Sequence, residues 1–205
     1  RNAFDRATAQ AMEAALDLFD ADAELRVGVL TGAGAAFSAG QDLKAAARGE
    51  FAQTERRGGF GIMAQPPKKP LIAAVEGAAL AGGFELALAC DLIVASSDSH
   101  FGLPEVKRSL VAVGGGALRL PHRAPHHIAM EMLLSGDPQS AEAMARWGVV
   151  NRVCAPGQAL ETAVALAETI AVNGPLAVIA TKEIATRSRG ENWSAAEGWV
   201  RQMEI

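Results

Sequence analysis

The sequence predicts an α/β protein in which a mixed core is followed by a helical C-terminal part. Three observations carry that prediction. The runs RVGVLTG (26–32), LIAAVEG (71–77) and DLIVAS (91–96) are apolar almost throughout, as strands covered on both faces must be. Between the last two lies FELALACD (84–91), a helical stretch apolar nearly all round and therefore buried. From Pro125 onward the apolar spacing is helical. Strand–helix–strand alternation of this kind places helices on both faces of a sheet.

Each element has its own warrant. Residues 3–19 place Met12, Leu16 and Phe19 at helical spacing with charges between them, an amphipathic helix. The strand 71–77 is announced by the proline-rich PPKKP before it, and the glycine pair Gly82 and Gly83 opens the buried helix. Residues 47–61, ARGEFAQTERRGGFG, are charged and glycine-rich and read as a mobile surface loop. Later helices are expected in HHIAMEMLLSG, SAEAMARWG, QALETAVALAETIAVNG and PLAVIATKEIATRS. Gly136, Gly148 and Gly174 stand where C-caps belong, and Pro175 where a helix starts. GVVNRVCAP (148–156) reads as one short strand or extended link. The division expected is an α/β core over 1–124 that carries the site, and a helical region over 125–205.

Composition narrows the function classes. The 205 residues are 50% hydrophobic, enough for one sizeable core and, at most, a small second domain. A net charge of -4 argues against a nucleic-acid binder, which usually carries a basic face. Two cysteines, Cys90 and Cys154, form neither a secreted-type disulfide framework nor a CxxC pair, which fits a reducing, intracellular setting, and the alanine-rich composition without a targeting segment suggests a bacterial cytoplasmic protein. No run of about eighteen apolar residues is present to span a membrane.

Several signals fail on inspection. TGAGAAF offers Gly32 and Gly34, but Phe37 stands where a dinucleotide fingerprint needs a third small residue. His122 and His126 are four apart, yet Pro125 breaks the helix that would aim both at one metal, so no metal site is read. Arg119, Arg123 and the nearby histidines form either a basic patch for an anionic ligand or a solvated face.

Three stretches carry chemistry. FSAGQD (37–42) is a turn of small residues after a strand, where backbone N–H groups can approach a ligand. AALAGGFE (78–85) sets Gly82 and Gly83 at a helix N-terminus, whose unpaired N–H groups favour negative charge. Two such loops can form an oxyanion hole from main-chain donors. Glu85 and Glu105 are carboxylates in apolar surroundings, and glutamates are seldom buried without a partner or a task. Taken singly, Glu85 also reads as a helix-dipole partner and Glu105 as a surface ion pair with Lys107 or Arg108. Together with the hole they point to enolate chemistry at a carbonyl compound.

These residues carry a resemblance to the crotonase superfamily, in particular its enoyl-CoA hydratases. The matching motifs are RNAFD, FSAGQDLK, AVEGAALAGGFELALACDLIVAS, FGLPEVKRSLVAVGGGALRLP and GDPQSAEAMARWGVVNRVCAPGQAL, in order along the chain. The resemblance implies a spiral of ββα turns with a C-terminal helical region used for trimerisation, trimers commonly pairing into hexamers. It implies an oxyanion hole from the N–H groups of Gln41 and Gly82, with Glu85 and Glu105, twenty residues apart (105 − 85 = 20), as the catalytic pair. Ala39, Asp42, Leu43 and Lys44 then extend along the coenzyme A channel, and Arg1 to Ala3 match a stretch near the pantetheine arm.

The activity implied is addition of water to a trans-2-enoyl-CoA, with coenzyme A entering as part of the substrate and no further cofactor. The alternatives are an enoyl-CoA delta isomerase, which needs one pocket carboxylate, and a carnitinyl-CoA dehydratase-like enzyme, whose branch FGLPEVKRSLVA resembles. An RNA-binding hydratase homologue is the reading from another class. The chain departs from the family at Val111–Gly116, where hydratases often read I-P-G-x-G-G, which puts the local turn and acyl pocket in question. Relatives carry a β-rich segment before RNAF and helices beyond Ile205, so the chain is expected to be incomplete relative to the family at both ends.

Overall fold

A computed structural model describes residues 1–188. In chain order the first elements are strand β1 (Ala3–Phe4), helix α1 (Arg6–Ala21), strands β2 (Gly28–Thr31), β3 (Ala36–Ser38) and β4 (Gly40–Gln41), and helix α2 (Leu43–Ala47). A small hairpin, β5 (Gln53–Thr54) and β6 (Gly58–Gly59), precedes strands β7 (Leu71–Val75) and β8 (Ala78–Leu80) and helix α3 (Gly82–Ala89). Strands β9 (Leu92–Ser96) and β10 (His100–Gly102) lead into a 3₁₀ turn at Pro104–Arg108, helix α4 (Gly116–Arg119) and a second 3₁₀ turn at Leu120–His122. Helix α5 (His126–Ser135), strand β11 (Gln139–Ser140), helix α6 (Ala141–Arg146), strand β12 (Arg152–Cys154) and helices α7 (Ala159–Ala171) and α8 (Pro175–Arg187) complete the described chain.

Consecutive strands go to different sheets. One sheet has the order β12-β9-β7-β2 and is parallel throughout; the other has the order β11-β10-β8-β3, parallel except for β11. The pairs β2/β3, β7/β8 and β9/β10 each contribute one strand to each sheet before the chain turns helical. That is the ββα spiral the resemblance implied. Every residue of β7 is buried, as is all of α3, which explains the apolar runs there by cover on every side, whereas β2, expected to be covered as well, is a half-buried edge strand. Helix α7 lies on the first sheet through Ala159, Ala163 and Ala167, set against Ile72, Ala74 and Val94. The spacing of four puts these alanines on one helical face.

Three readings need correction. The first helix does not begin at Ala3: Ala3–Phe4 form β1, and Asp5 caps α1 by accepting the Thr8 N–H. Gly174 is not the C-cap of α7 but the N-cap of α8, with φ -61 and ψ 116. Pro175 forces its predecessor out of the helical region, so the glycine belongs to the helix that follows. Residues 47–61 are not a bare surface loop. They hold the β5–β6 hairpin, and Arg57 within them is 3% exposed. Its guanidinium meets Asp17 and Asp20 of α1 and donates to the Gln65 carbonyl at 2.8 Å. Burial of an arginine is tolerated because carboxylates and a carbonyl take its donors.

Helix α8 is fastened by one amine. Lys182 Nζ donates to the carbonyls of Pro67 at 2.8 Å and Lys69 at 2.9 Å, and to Asp91 Oδ2 at 2.6 Å. The same Asp91 oxygen accepts the Leu71 N–H at the start of β7. Lys182→Met keeps the stem and removes the head group. It is expected to lower stability by about 2 kcal/mol, below the usual cost for a fully buried pair because both partners retain some solvent contact. Urea unfolding followed by circular dichroism checks this.

Candidate active site

The site is built where β4 meets the N-terminus of α3. Ser38 donates through Oγ to the Asn2 carbonyl at 2.8 Å and accepts the Gly40 N–H at 3.1 Å, which shapes the turn between β3 and β4. Gly40 has φ +85, and a Cβ placed on it would lie 2.7 Å from the Gly82 nitrogen. Only glycine permits both that conformation and that approach. The Gln41 main chain is thereby set beside the first turn of α3, where the Gly82 N–H has no acceptor within the helix.

Ala81, the N-cap, sits at φ 51 and ψ -129, a region that residues with a Cβ occupy at a cost of about 1–3 kcal/mol. Its N–H donates to the Gly102 carbonyl at 2.9 Å, which holds the turn in place. Phe60, itself at φ 55, closes the opposite side of Gly82 and stacks on Phe4 with ring centroids 4.6 Å apart.

The Gln41 side chain is turned away into the following loop. Its Oε1 accepts the Ala52 N–H at 2.9 Å, and its Nε2 donates to the carbonyls of Asp42 and Glu50 at 3.1 and 3.4 Å. What Gln41 leaves beside Gly82 is main chain.

Glu85 lies in the first turn of α3 and is 5% exposed. Its Oε1 accepts the Gly116 N–H at 2.8 Å, and its carboxyl rests so close to Gly114 that a Cβ there would come within 2.5 Å of Oε2. Burial pushes the Glu85 carboxyl above the usual carboxylate range; the N–H groups of Gly116 and Gly114 and the Arg119 charge oppose that shift. Gly114–Gly116 thus form a cradle for this carboxylate, in the segment where the sequence departs from I-P-G-x-G-G.

Glu105 sits in the 3₁₀ turn after Pro104. The ion pair considered for it in the sequence is not made: Lys107 pairs with Asp137. The Oε2 of Glu105 is buried without a hydrogen-bond partner in the protein. Burial raises its carboxyl above the ordinary range, and the charge of Glu85 raises it further. Its own backbone N–H opposes the rise, so each of the two carboxyls is raised chiefly by burial and held down in part by main-chain donors.

A cleft of 660 Å³ opens beside Gly114, with Gln53, Met63, Val113, Arg119 and His122 in its wall. Another of 620 Å³ lies between α1 and the hairpin, and neither cleft has Glu85 or Glu105 in its wall.

The remaining expected residues lie along one edge. Arg1 accepts the Ala39 N–H at 3.0 Å through its carbonyl, and Ala3 pairs with Gly40. Arg1, Ala3, Ala39, Leu43 and Lys44 are all exposed there. Asp42 is the N-cap of α2, and its carboxylate accepts the N–H groups of Lys44 and Ala45. Its side chain is therefore already engaged within the protein. His126 packs edge-on against His127, the other side of Pro125 from His122. Sequence reasoning misses Phe60 and gives Arg119 only as one member of a basic patch.

Comparison with known proteins finds extensive likeness. A family model described as enoyl-CoA hydratase/isomerase matches residues 1–197. The carnitinyl-CoA dehydratase of Salmonella arizonae is 46% identical over 202 residues, which are 97% of this chain and 77% of that protein. Among solved structures, an enoyl-CoA hydratase of Mycobacterium marinum superposes with a TM-score of 0.95 at 57% identity, covering 98% of this chain and 79% of the other. A carnitinyl-CoA hydratase of Mycobacterium avium gives 0.87 at 44%, covering 89% and 72%.

Proposed function

The chain belongs to the enoyl-CoA hydratase/isomerase family, and on that premise we propose that it is a hydro-lyase of the carnitinyl-CoA dehydratase kind, interconverting a 3-hydroxyacyl-CoA and a trans-2-enoyl-CoA. The observation that carries the reading is the pair of carboxyls, Glu85 buried in the same helical turn as the Gly40–Gly82 junction and Glu105 with a buried oxygen that has no partner in the protein. The sequence motifs alone favour plain enoyl-CoA hydration. The relatives from Salmonella arizonae and Mycobacterium avium support the dehydratase-like alternative, while the Mycobacterium marinum relative supports the unsubstituted substrate. The two share one bond change and differ in the acyl tail.

In the hydration direction the thioester oxygen rests on the N–H groups of Gln41 and Gly82. Glu85, cradled as an anion, takes a proton from water as the oxygen adds to C3. Negative charge passes to the thioester oxygen, where the two amides hold it. Glu105, whose surroundings favour the protonated form, delivers a proton to C2. A proton then returns from Glu85 to Glu105, directly or through solvent, so that water supplies both the hydroxyl at C3 and the hydrogen at C2, and coenzyme A travels with the substrate. Dehydration runs the same steps backwards. An isomerase would need one of the two carboxyls, which is why the pair favours water addition or removal.

The test offers crotonyl-CoA, carnitinyl-CoA and 3-butenoyl-CoA to the enzyme and follows the conjugated enoyl-thioester absorbance. Loss of absorbance with crotonyl-CoA and its appearance with carnitinyl-CoA is the expected result. Its appearance with 3-butenoyl-CoA, beside no change in the other two, replaces the hydro-lyase with an isomerase.

A further inference from the structure

The basic patch noted in the sequence contains one residue whose place in the fold is specific. Arg119 ends α4 and folds back across Gly115, whose φ of +114 and missing side chain leave room for the guanidinium; a Cβ on Gly115 would collide with it. One terminal nitrogen donates to the Gly114 carbonyl at 3.3 Å and the other to the Met63 carbonyl at 2.5 Å. Gly114 lies against the Glu85 carboxyl, and Gly116 donates to it. Met63 belongs to the same segment as Phe60, the ring that closes behind Gly82. One guanidinium therefore ties together the segments that back both halves of the site.

We propose that Arg119 is a positioning residue for the Glu85 carboxylate, holding the Gly114–Gly116 cradle against the Phe60 segment through its bonds to the Gly114 and Met63 carbonyls. This rests on the assignment of Glu85 as the base. Among the described residues, Arg119 from α4 acts on the Glu85 carboxyl, and Glu85 in turn acts on Glu105 in the 3₁₀ turn. His122, in the wall of the adjoining cleft, is the other titratable group on that side. Arg119 opposes the rise that burial imposes on Glu85, so its removal lets the Glu85 carboxyl keep its proton to higher pH.

The experiment measures kcat for crotonyl-CoA hydration against pH in wild type, Arg119→Lys, Arg119→Gln, Arg119→Met and Glu85→Gln. Arg119→Met keeps an aliphatic stem over Gly115 and guards against loss of packing, and circular dichroism confirms folded protein. In Arg119→Gln and Arg119→Met the acid limb is expected to move to higher pH, with a severalfold loss of rate along it and KM nearly unchanged. Arg119→Lys keeps the charge but cannot span both carbonyls, so its plateau falls while the limb stays near that of wild type. A limb that stays put in folded Arg119→Gln, beside an inactive Glu85→Gln, overturns the Arg119 inference alone. An active Glu85→Gln with an unchanged limb overturns the base assignment and the Arg119 inference with it.

Discussion

Glu85→Gln and Glu105→Gln are each expected to lower crotonyl-CoA hydration by at least about a hundredfold, the usual contribution of a positioned acid or base. The two losses should differ in kind. In Glu85→Gln the amide oxygen can still accept the Gly116 N–H that Oε1 now takes, while the amide nitrogen replaces the oxygen that faces Gly114, and what disappears is the group that removes the proton from water. Glu105→Gln replaces a carboxyl whose Oε2 has no protein partner, and the amide that results cannot give a proton to C2. Because the two carboxyls act on the same turnover, the double variant should be little worse than either single one. Thioester absorbance at matched folded concentration reads all three. A single variant within tenfold of wild type would remove that residue from the proton-transfer steps and leave the reaction to one carboxylate, as an isomerase would use it.

How much of this is legible in the sequence depends on how local the cause is. The run LIAAV can be read as a covered strand because burial on both faces leaves no alternation to find, and the structure buries all five residues. Gly136 at φ +68 caps α5 as expected, since the requirement for a left-handed residue acts within one turn. Glu85 and Glu105 stand out because a carboxylate among apolar neighbours is conspicuous in the sequence itself.

Arg57 is not legible. Its carboxylate partners, Asp17 and Asp20, lie about forty positions earlier on α1, and nothing in TERRGGFG tells a buried arginine from a solvated one. The same holds for Phe60, whose meaning depends on Gly82 and Phe4 arriving on either side of it. Arg119 is visible as charge, but the carbonyls it bridges are main-chain groups that no sequence pattern marks. Long-range approaches of backbone to side chain form the back of the site, and a local pattern holds no trace of them.

Gly82→Ala is the second large effect expected. A methyl group there would lie 2.5 Å from Phe60 Cζ and 2.6 Å from its Cε2, with Gly40 Cα at 3.2 Å on the other side. Phe60 cannot swing away freely: its ring is stacked on Phe4, and its backbone is in the left-handed region. Nor can Gly40, which is held by the pairing of β4 with β1. The remaining relief is displacement of the Gly82 peptide, which shifts the proposed oxyanion donor. Losing one such donor costs about 100- to 1000-fold in kcat, and kcat for crotonyl-CoA should fall by that order while the melting temperature also drops. The amide itself is retained in alanine, which makes the cause separable. Adding Phe60→Ala to Gly82→Ala clears the space the methyl needs, so the double variant should recover kcat relative to Gly82→Ala even though it has lost a buried ring. If Gly82→Ala instead keeps kcat within threefold, the N–H of residue 82 is not a donor to the transition state. Charge on the thioester oxygen would then have to be held elsewhere than at the junction of β4 and α3.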